Sequence, residues 1–293
     1  MNEQPKYPYF EEATSAEVVI ARMSPEMNPR LREVMTSVVR HLHAIVKETR
    51  LTQAEWMAAI QFLTRTGHMC TEWRQEFILL SDTLGVSMLV DTINSDHSGA
   101  TENTVLGPFY VENPPHYENG HNICLDGKGE PLVVRGTVTD TAGKPIAGAT
   151  VDAWQTNEDG FYDVQQKGVQ PDMNLRGVFT TDAKGEFWFR SVKPRFYPIP
   201  NDGPVGEMLT AMGRGAIRPA HIHFIVRAPG YEDVVTHIFT PDCPYLGVDA
   251  VFGVKQSLIG DFQQNGDKAE AERLGVPSPF WTLGWNFSLA KSE

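Results

Sequence analysis

Cysteine is scarce in this chain. Three cysteines, Cys70, Cys124 and Cys243, are spread over 293 residues. Their number and spacing provide neither a disulfide framework nor a thiolate metal site. Runs rich in lysine or arginine are absent too, and the formal net charge is −12. We therefore expect no nucleic-acid partner, because an acidic protein repels phosphates.

Long hydrophobic runs are also lacking. No apolar segment approaches the roughly 20 residues that cross a membrane, and residues 1–6 lead into no apolar stretch of the signal-peptide type. We therefore expect a cytoplasmic protein without membrane insertion. The composition, 41% hydrophobic and 21% charged residues, is that of an ordinary globular protein.

The first third of the chain has helical periodicity. Asn28 followed by proline is a helix start signal, and apolar residues then recur at three- and four-residue spacing from Leu31 to Val46. Residues 52–55 form a capping box that opens the next helix. Further helices are predicted over 53–67, 72–84 and 86–93.

Short segments of strand character replace this pattern after about residue 100. Strands are predicted over 132–139, 149–154, 185–190, 221–226, 234–239 and 280–283. Short strands separated by glycine and proline turns are typical of a β-sandwich. The sequence therefore predicts an α+β fold, with a helical N-terminal domain over 1–100 and a mostly antiparallel β-sandwich domain over 101–293.

The predicted strand that begins at His221 carries the first candidate site. Ile222, Phe224 and Val226 alternate with His221 and His223, the pattern of a strand with one buried face. Both histidines then share the other face and can bind one metal ion together. A strand whose polar face happens to carry two histidines explains the same pattern, because His-x-His alone is a weak motif.

Two tyrosines complete a candidate ligand set. Tyr162 follows a turn after a predicted strand, and Tyr197 lies in a loop that contains four prolines between residues 194 and 204. Such a loop is stiff, so holding one side chain in place costs less entropy. Either tyrosine alone is equally explained as a packing aromatic. Two imidazoles and two phenols, however, offer nitrogen and oxygen donors that suit Fe(III) better than zinc, calcium or magnesium.

The order of these residues resembles the intradiol ring-cleavage dioxygenases. The resemblance rests on Tyr162, Tyr197 and the segment Arg218-x-x-His221-x-His223, and it extends over nearly the whole chain. Similar segments lie at 104–110, 134–138, 149–155 and 197–200.

The resemblance implies an oxidoreductase of aromatic-compound catabolism with one non-haem Fe(III) per subunit. Its iron ligands would be Tyr162, Tyr197, His221 and His223. Tyr197 would be the labile ligand, which the substrate displaces and which accepts a substrate proton. Arg218 would stabilise negative charge on the ring; an exposed cation at the edge of the His221 strand is the alternative reading.

The expected reaction inserts both atoms of O₂ and opens an aromatic ring between adjacent hydroxyls. Residues 77–85 and 236–239 are most like those of family members that cleave hydroxyquinol (benzene-1,2,4-triol) to 3-hydroxy-cis,cis-muconate, the tautomer of maleylacetate. His237 weakens a plain catechol assignment, because catechol-specific members commonly carry glutamine there. Catechol or chlorocatechol cleavage stays the nearest alternative.

The implied substrate pocket is mostly apolar, as an aromatic ring requires. Asp82 is its one acidic member, and we expect it to accept a hydrogen bond from the third hydroxyl of hydroxyquinol, which catechol lacks. A helix-surface aspartate is the alternative. The pocket residues are Leu79, Asp82, Leu106, Gly107, Pro108, Phe109, Ile199, Pro200, Arg218 and Val251.

Three questions stay open at the level of sequence. The resemblance implies a homodimer through the N-terminal helices with a bound phospholipid, but the apolar stripe from Leu31 to Val46 also suits an intrachain core. A transthyretin-like binding module without metal would explain the predicted sandwich, but it would not need the four candidate ligands to converge. A zinc hydrolase explains His221 and His223 if a third ligand comes from His116, His121 or His237.

Overall fold

The computed structural model describes residues 7, 9–71, 74–95 and 99–292. Helices occupy the N-terminal part of this described chain. Their bounds are Ser15–Ala21 (α1), Pro29–Thr49 (α2), Gln53–His68 (α3), Glu76–Thr83 (α4) and Val86–Asn94 (α5). The helix predicted over 72–84 thus begins at Glu76, and residues 72 and 73 lie outside the described part. Residues 96–98, near the predicted change of character, lie outside it as well.

Both predicted helix caps are present. The Asn28 side chain accepts a hydrogen bond from the Leu31 backbone N–H at 3.0 Å, which satisfies one of the free donors at the start of α2. The carboxylate of Glu55 accepts from the Thr52 backbone N–H at 2.8 Å, and the Thr52 hydroxyl accepts from the Glu55 N–H at 3.3 Å. Local sequence therefore determines where α2 and α3 begin.

Strands dominate the remainder of the chain, with two short helices between them. In chain order the elements are Pro131–Asp140 (β1), Thr150–Gln155 (β2), Arg176–Thr180 (β3), Glu186–Val192 (β4), Tyr197–Pro198 (β5), Pro204–Ala211 (α6), Ile217–Arg218 (β6), His221–Arg227 (β7), Val234–Phe239 (β8), Phe262–Asn265 (β9), Lys268–Leu274 (α7) and Phe280–Leu289 (β10).

Two four-stranded sheets form a β-sandwich. Their strand orders are β4-β1-β10-β9 and β3-β2-β7-β8, and every pair is antiparallel except β1 with β10. Aromatic side chains join the sheets: the Phe287 ring lies 5.1 Å from that of Phe224, and the Phe179 ring lies 4.8 Å from that of Phe189, centroid to centroid. The α+β class with a mostly antiparallel sandwich is confirmed.

The contacts divide the chain into two compact units, Met1–Arg65 and Thr66–Glu293. Within the second unit α4 packs against α5 and α6, so these helices belong with the sandwich. The predicted domain boundary near residue 100 differs from this division and stays a prediction. Among the described residues, no helix is both long and apolar enough to cross a membrane.

Strand β7 is buried on both faces, so the prediction of a strand with one buried face was wrong. Ile222, Phe224 and Val226 join the sandwich core as expected. The opposite face, with His221 and His223, is covered by loops, which leave these histidines 2% and 1% exposed. Sequence periodicity could not reveal this cover, because the covering residues come from distant parts of the chain.

Candidate metal centre

One row of side chains crosses the β3-β2-β7-β8 sheet and organises the site. Arg176, Trp154, His223 and His237 lie opposite one another on successive strands, and residues paired in this way point to the same face. The Trp154 ring stacks on the His223 imidazole at 4.5 Å with an interplanar angle of 11°. The sheet therefore fixes the orientation of His223 through its neighbour on β2.

The two predicted histidine ligands present their Nε2 atoms to each other. These atoms are 3.1 Å apart, and the His221 Nδ1–H donates to the Pro219 carbonyl at 2.6 Å, which leaves the lone pair on His221 Nε2. Burial is the largest cause that lowers the pKa of both imidazoles well below its ordinary value, and Arg218 lowers each further. Both are therefore neutral at pH 7, the form that binds a metal.

The two tyrosines reach the same point from two loops. The Tyr162 hydroxyl is 2.8 Å from His223 Nε2, and the Tyr162 and Tyr197 rings meet edge to face at 5.2 Å between centroids. The Tyr197 ring also lies 5.7 Å from that of His221. Both tyrosines are almost fully buried, at 1% and 2% exposure. The structure thus brings all four predicted ligands together.

Short-range interactions hold each tyrosine loop. Before Tyr162, the Asn157 side chain accepts hydrogen bonds from the backbone N–H groups of Asp159 and Phe161 at 3.1 and 2.9 Å, which closes a tight turn. Tyr197 lies on β5 and pairs directly with Arg218 on β6. A local turn and a two-residue ladder therefore position the two phenols.

The donor set fits a metal ion of the expected kind. Two atoms that bind one ion at about 2.1 Å and at a right angle lie about 3 Å apart, and the separations from His223 Nε2 to the Tyr162 oxygen and His221 Nε2 are 2.8 and 3.1 Å. Burial, followed by the neighbouring Tyr197, raises the pKa of Tyr162 well above its ordinary value. A highly charged cation between these groups reverses that effect and favours phenolate.

Arg218 is buried beside the ligands and does not lie at the edge of β7. It belongs to β6 and is 2% exposed, so the reading as an exposed strand-end cation was wrong. Its Nε donates to Asp249 Oδ1 and its Nη2 to His237 Nδ1, both at 3.3 Å. Burial opposes its charge, but Asp249 and the two tyrosines more than compensate and raise the pKa of the guanidinium above its ordinary value.

Sequence reasoning missed the two residues that hold this guanidinium. Asp249 is buried and also accepts from the Gly253 backbone N–H at 2.9 Å, so its loop is fixed around Arg218. His237, noted before as a departure from catechol-specific sequences and as a possible third zinc ligand but not as a partner of Arg218, forms a cluster of three imidazoles with His221 and His223. The strand register alone brings His237 there, and register cannot be deduced from one strand's sequence.

Apart from Arg218 and Asp82, the expected pocket residues divide into three groups. Leu79, Ile199 and Val251 pack in one apolar cluster. Leu106 and Pro108 are exposed and Pro200 is half-buried. The remaining two contact the ligands directly: the Phe109 ring stacks on that of Tyr162 at 4.6 Å, and Gly107 lies against the His223 ring. Their part in binding substrate stays a prediction.

Asp82 lies within reach of the charged groups of the site. It is half-buried on α4, so the reading as a helix-surface aspartate is not favoured. Burial raises the pKa of its carboxyl, a hydrogen bond from Ser87 and the charge of Arg218 lower it, and the charge of Asp249 raises it. Burial is the largest of these effects, and the pKa of Asp82 is raised overall.

Gly107 provides a first test of the site. Its φ is +80°, and an added Cβ would lie 3.1 Å from His223 Cε1. We expect Gly107→Ala to displace the His223 ring, lowering the bound-metal content and activity. The backbone conformation alone should lower the free energy of unfolding by about 1–3 kcal/mol.

Gly143→Ala is the matched control for this change. Gly143 also has a φ of +80°, but nothing lies within 4 Å of the added Cβ. The two variants should therefore be destabilised similarly in thermal unfolding, and only Gly107→Ala should lose metal. Equal metal content in both would contradict a close contact with a metal ligand.

Comparisons with known proteins agree with this geometry. The family model "Catechol dioxygenase N terminus" matches residues 28–102, and the model "Dioxygenase" matches residues 105–291. A hydroxyquinol 1,2-dioxygenase of Rhizobium sp. (strain MTP-10005) is 58% identical over 285 residues, 97% of each chain. A 6-chlorohydroxyquinol 1,2-dioxygenase of Cupriavidus pinatubonensis is 50% identical over 88% of this chain and 94% of its own. The crystal structure of hydroxyquinol 1,2-dioxygenase from Pseudomonas putida DLL-E4 superposes with a TM-score of 0.90 and 46% identity, over 96% of this chain and 99% of that one.

Proposed function

The chain belongs to the intradiol ring-cleavage dioxygenase family, and we propose that it inserts both atoms of O₂ between the adjacent hydroxyls of hydroxyquinol. The product would be 3-hydroxy-cis,cis-muconate, the tautomer of maleylacetate. The observation that carries the proposal is the convergence of two phenol and two imidazole side chains in a buried cluster. In it, the Tyr162 oxygen and His221 Nε2 lie 2.8 and 3.1 Å from His223 Nε2, and the Tyr197 ring packs against those of Tyr162 and His221. Relatives similar over nearly the whole chain act on hydroxyquinol or its 6-chloro derivative.

Membership of the family implies non-haem iron, and we assign Tyr162, Tyr197, His221 and His223 as the ligands of one Fe(III). When bound, this ion supplies the Lewis acidity that holds the diol as an anion and makes its ring reactive toward O₂. Burial keeps the two imidazoles neutral, which is their ligand form. Burial also raises the pKa of Tyr162, so the phenolate form would have to come from the charge of the bound ion itself. Two negative phenolates offset most of the charge of a trivalent ion, which favours the oxidised state.

Tyr197 is the group we assign to accept a substrate proton. Its ring is 2% exposed, and a buried phenolate that has left a cation is unfavourable unless it is protonated. The other phenol, Tyr162, is held between the Phe109 ring and His223. Among the described residues, the Tyr197 hydroxyl has no such contact with His223, and Tyr197 is therefore our candidate for the ligand that moves.

Arg218 is the group we assign to stabilise negative charge on the substrate ring. Its guanidinium cannot lose a proton at any working pH, and Asp249 and His237 fix two of its donors. A preorganised donor in a buried site needs no reorganisation when charge develops, which is where such groups contribute most to rate.

Asp82 is the residue we assign to the choice between hydroxyquinol and catechol. Hydrogen bonds to charged groups contribute about 1.5–3 kcal/mol. We therefore expect Asp82→Ala to lower kcat/KM for hydroxyquinol by about 10- to 100-fold and to change that for catechol little. The measurement is the ratio of the two kcat/KM values, with Asp82→Asn as a control that retains an acceptor. An unchanged ratio in Asp82→Ala would show that Asp82 does not determine the choice between the two substrates.

A zinc hydrolase is the second candidate because three imidazoles lie within reach of one ion. The ligand atoms of His221, His223 and His237 are within 4.8 Å of one another. However, His237 Nδ1 accepts a hydrogen bond from the Arg218 cation, which leaves Nε2 as the only nitrogen of this imidazole that could bind an ion. The Tyr162 oxygen lies 2.8 Å from His223 Nε2, and zinc usually takes cysteine, histidine or carboxylate ligands, so iron with phenolate ligands is favoured.

Anaerobic titration followed by oxygen tests the proposed function. Hydroxyquinol added without O₂ should shift the visible charge-transfer band of a ferric phenolate protein. Admission of O₂ should then give a product opened between the two adjacent hydroxyls, with two labelled oxygen atoms by mass spectrometry when ¹⁸O₂ is used. A colourless protein, or ring opening beside the hydroxyls, would contradict the proposal. A higher kcat/KM for catechol than for hydroxyquinol would change the proposed substrate to catechol.

We also propose a cytoplasmic homodimer joined through α2. Apolar residues of its predicted stripe remain exposed, among them Leu31 at 50%, Leu42 at 60% and Ile45 at 56%, so the stripe does not form the intrachain core that was the alternative. A second subunit, together with the phospholipid that the resemblance implies, would cover it. Light scattering of the purified protein should give the mass of two chains, and mass spectrometry of an organic extract should detect the lipid.

A further inference from the structure

A buried ion pair lies directly behind Tyr162. The carboxylate of Asp163, the next residue, accepts from Arg176 Nε at 2.7 Å, and Arg176 Nη2 lies 2.6 Å from the same oxygen. The two side chains are only 6% and 2% exposed. Burial of two charges opposes folding unless geometry and further hydrogen bonds compensate. This pair therefore points to a role other than stabilising the fold.

The second oxygen of Asp163 connects this pair to a strained loop. Asp163 Oδ2 accepts from the Met173 backbone N–H at 3.1 Å. Met173 and Leu175 have φ values of +62° and +59°, which residues other than glycine rarely adopt. The carboxylate therefore holds a loop in an unfavourable conformation, and this loop leads directly into Arg176 on β3.

Arg176 itself belongs to the row of side chains that contains a metal ligand. It lies opposite Trp154, which lies opposite and stacks on His223. The Asp163–Arg176 pair thus joins the backbone next to Tyr162 to the strand row that carries His223. The charge of Arg176 lowers the pKa of Tyr162, but burial, Tyr197 and Arg218 all affect that pKa more. We therefore attribute to the pair mainly a geometric restraint.

We propose that Asp163 and Arg176 are a positioning pair that holds Tyr162 at ligand distance from His223. Neither residue is among the assigned metal ligands or the expected pocket residues, and the pair would act through the Tyr162 backbone. The inference rests on the proposed function, since it concerns one ligand of the assigned iron. According to this proposal, the ligands Tyr162 and His223 are aligned with each other because the Asp163–Arg176 pair contacts the supports of both, on the β3 side of the sheet.

The double variant Asp163→Leu with Arg176→Met tests the pair. Replacing both members of a buried ion pair by apolar residues of similar volume is often neutral for stability. We therefore expect a folded protein that has lost its restraint on Tyr162 and that is destabilised chiefly by loss of the hydrogen bond from the Met173 N–H. The dissociation constant for iron, measured by titration against a competing chelator, should rise about 10- to 100-fold, as it does when groups that support metal ligands are lost. The resonance Raman tyrosinate signals should resemble those of Tyr162→Phe.

A matched control removes an ion pair elsewhere in the sandwich. Arg135 on β1 and Glu270 on α7 are 3.4 Å apart, and β1 belongs to the other sheet from the one that carries the ligand row. Arg135→Met with Glu270→Leu should retain native iron affinity and tyrosinate signals. If the Asp163 and Arg176 variant also retains both, the pair is structural only and the inference is wrong.

Arg176→Lys provides the test if the double variant does not fold. Lysine keeps the charge but replaces the planar fork by a single ammonium, so Tyr162 should be held less firmly. We expect a weaker or shifted Tyr162 tyrosinate signal, although the pair would still carry both charges. A spectrum identical to that of the native protein would overturn the inference, whereas absence of the band from the native protein itself would overturn the proposed iron centre.

Discussion

Tyr162→Phe should yield a folded protein that binds iron at least about 100-fold more weakly and has little ring-cleaving activity. Even a group that only supports a ligand contributes about 10- to 100-fold to metal affinity, so loss of a ligand should exceed that range. The change removes one oxygen that lies 2.8 Å from His223 Nε2 and leaves the ring packed against Phe109. The fold should therefore survive while the site does not.

Iron content and the visible spectrum measure this effect. Removal of one of two phenolates should reduce and shift the charge-transfer band. Tyr110→Phe is a suitable control, because Tyr110 packs in the same aromatic cluster and its ring lies 5.1 Å from that of Trp154, outside the ligand set. Equal iron content in Tyr162→Phe and Tyr110→Phe would show that Tyr162 is no ligand.

Arg218→Met should lower kcat by about 10²–10³ while iron binding is retained, because removal of one preorganised donor at a developing charge has that effect. It also leaves the buried Asp249 carboxylate, 2% exposed in its side chain, without its cation. Breaking a buried pair in this way destabilises proteins by about 3–5 kcal/mol. We therefore expect lower thermal stability together with the loss of rate.

Two further variants separate the loss of rate from the loss of stability. Arg218→Lys keeps a cation near Asp249 but not the fork that reaches both Asp249 and His237, and we expect an intermediate kcat. Arg227→Met removes an exposed arginine whose partner is Asp233, and it should change kcat little. A native kcat in Arg218→Met, measured on the fraction that remains folded, would exclude Arg218 from catalysis.

Local signals in the sequence were sufficient for the framework. The caps of α2 and α3 depend on residues within one turn of each other, and strand β8 was predicted with its observed bounds, Val234–Phe239. Strand β9, Phe262–Asn265, was missed because three of its four residues are polar and its pattern does not alternate. Strand β3 was missed because it begins with a buried arginine, whose partner Asp163 is distant in sequence.

The candidate site was predicted as a set of ligands but not as an arrangement. The types and order of Tyr162, Tyr197, His221 and His223 were visible in the sequence, and the structure adds how they meet. Arg218 was misplaced because β5 and β6 are two residues long and exist only through their pairing with each other. The contact of Arg218 with Asp249 depends on a loop whose conformation no local signal specified.

Anomalous X-ray diffraction from crystals of the purified protein, collected at the iron and zinc absorption edges, tests the central claim most directly. The account predicts one iron peak per chain, bonded to the oxygens of Tyr162 and Tyr197 and to Nε2 of His221 and His223. A zinc peak bonded to His221, His223 and His237, or no metal peak near the two tyrosines, would contradict it.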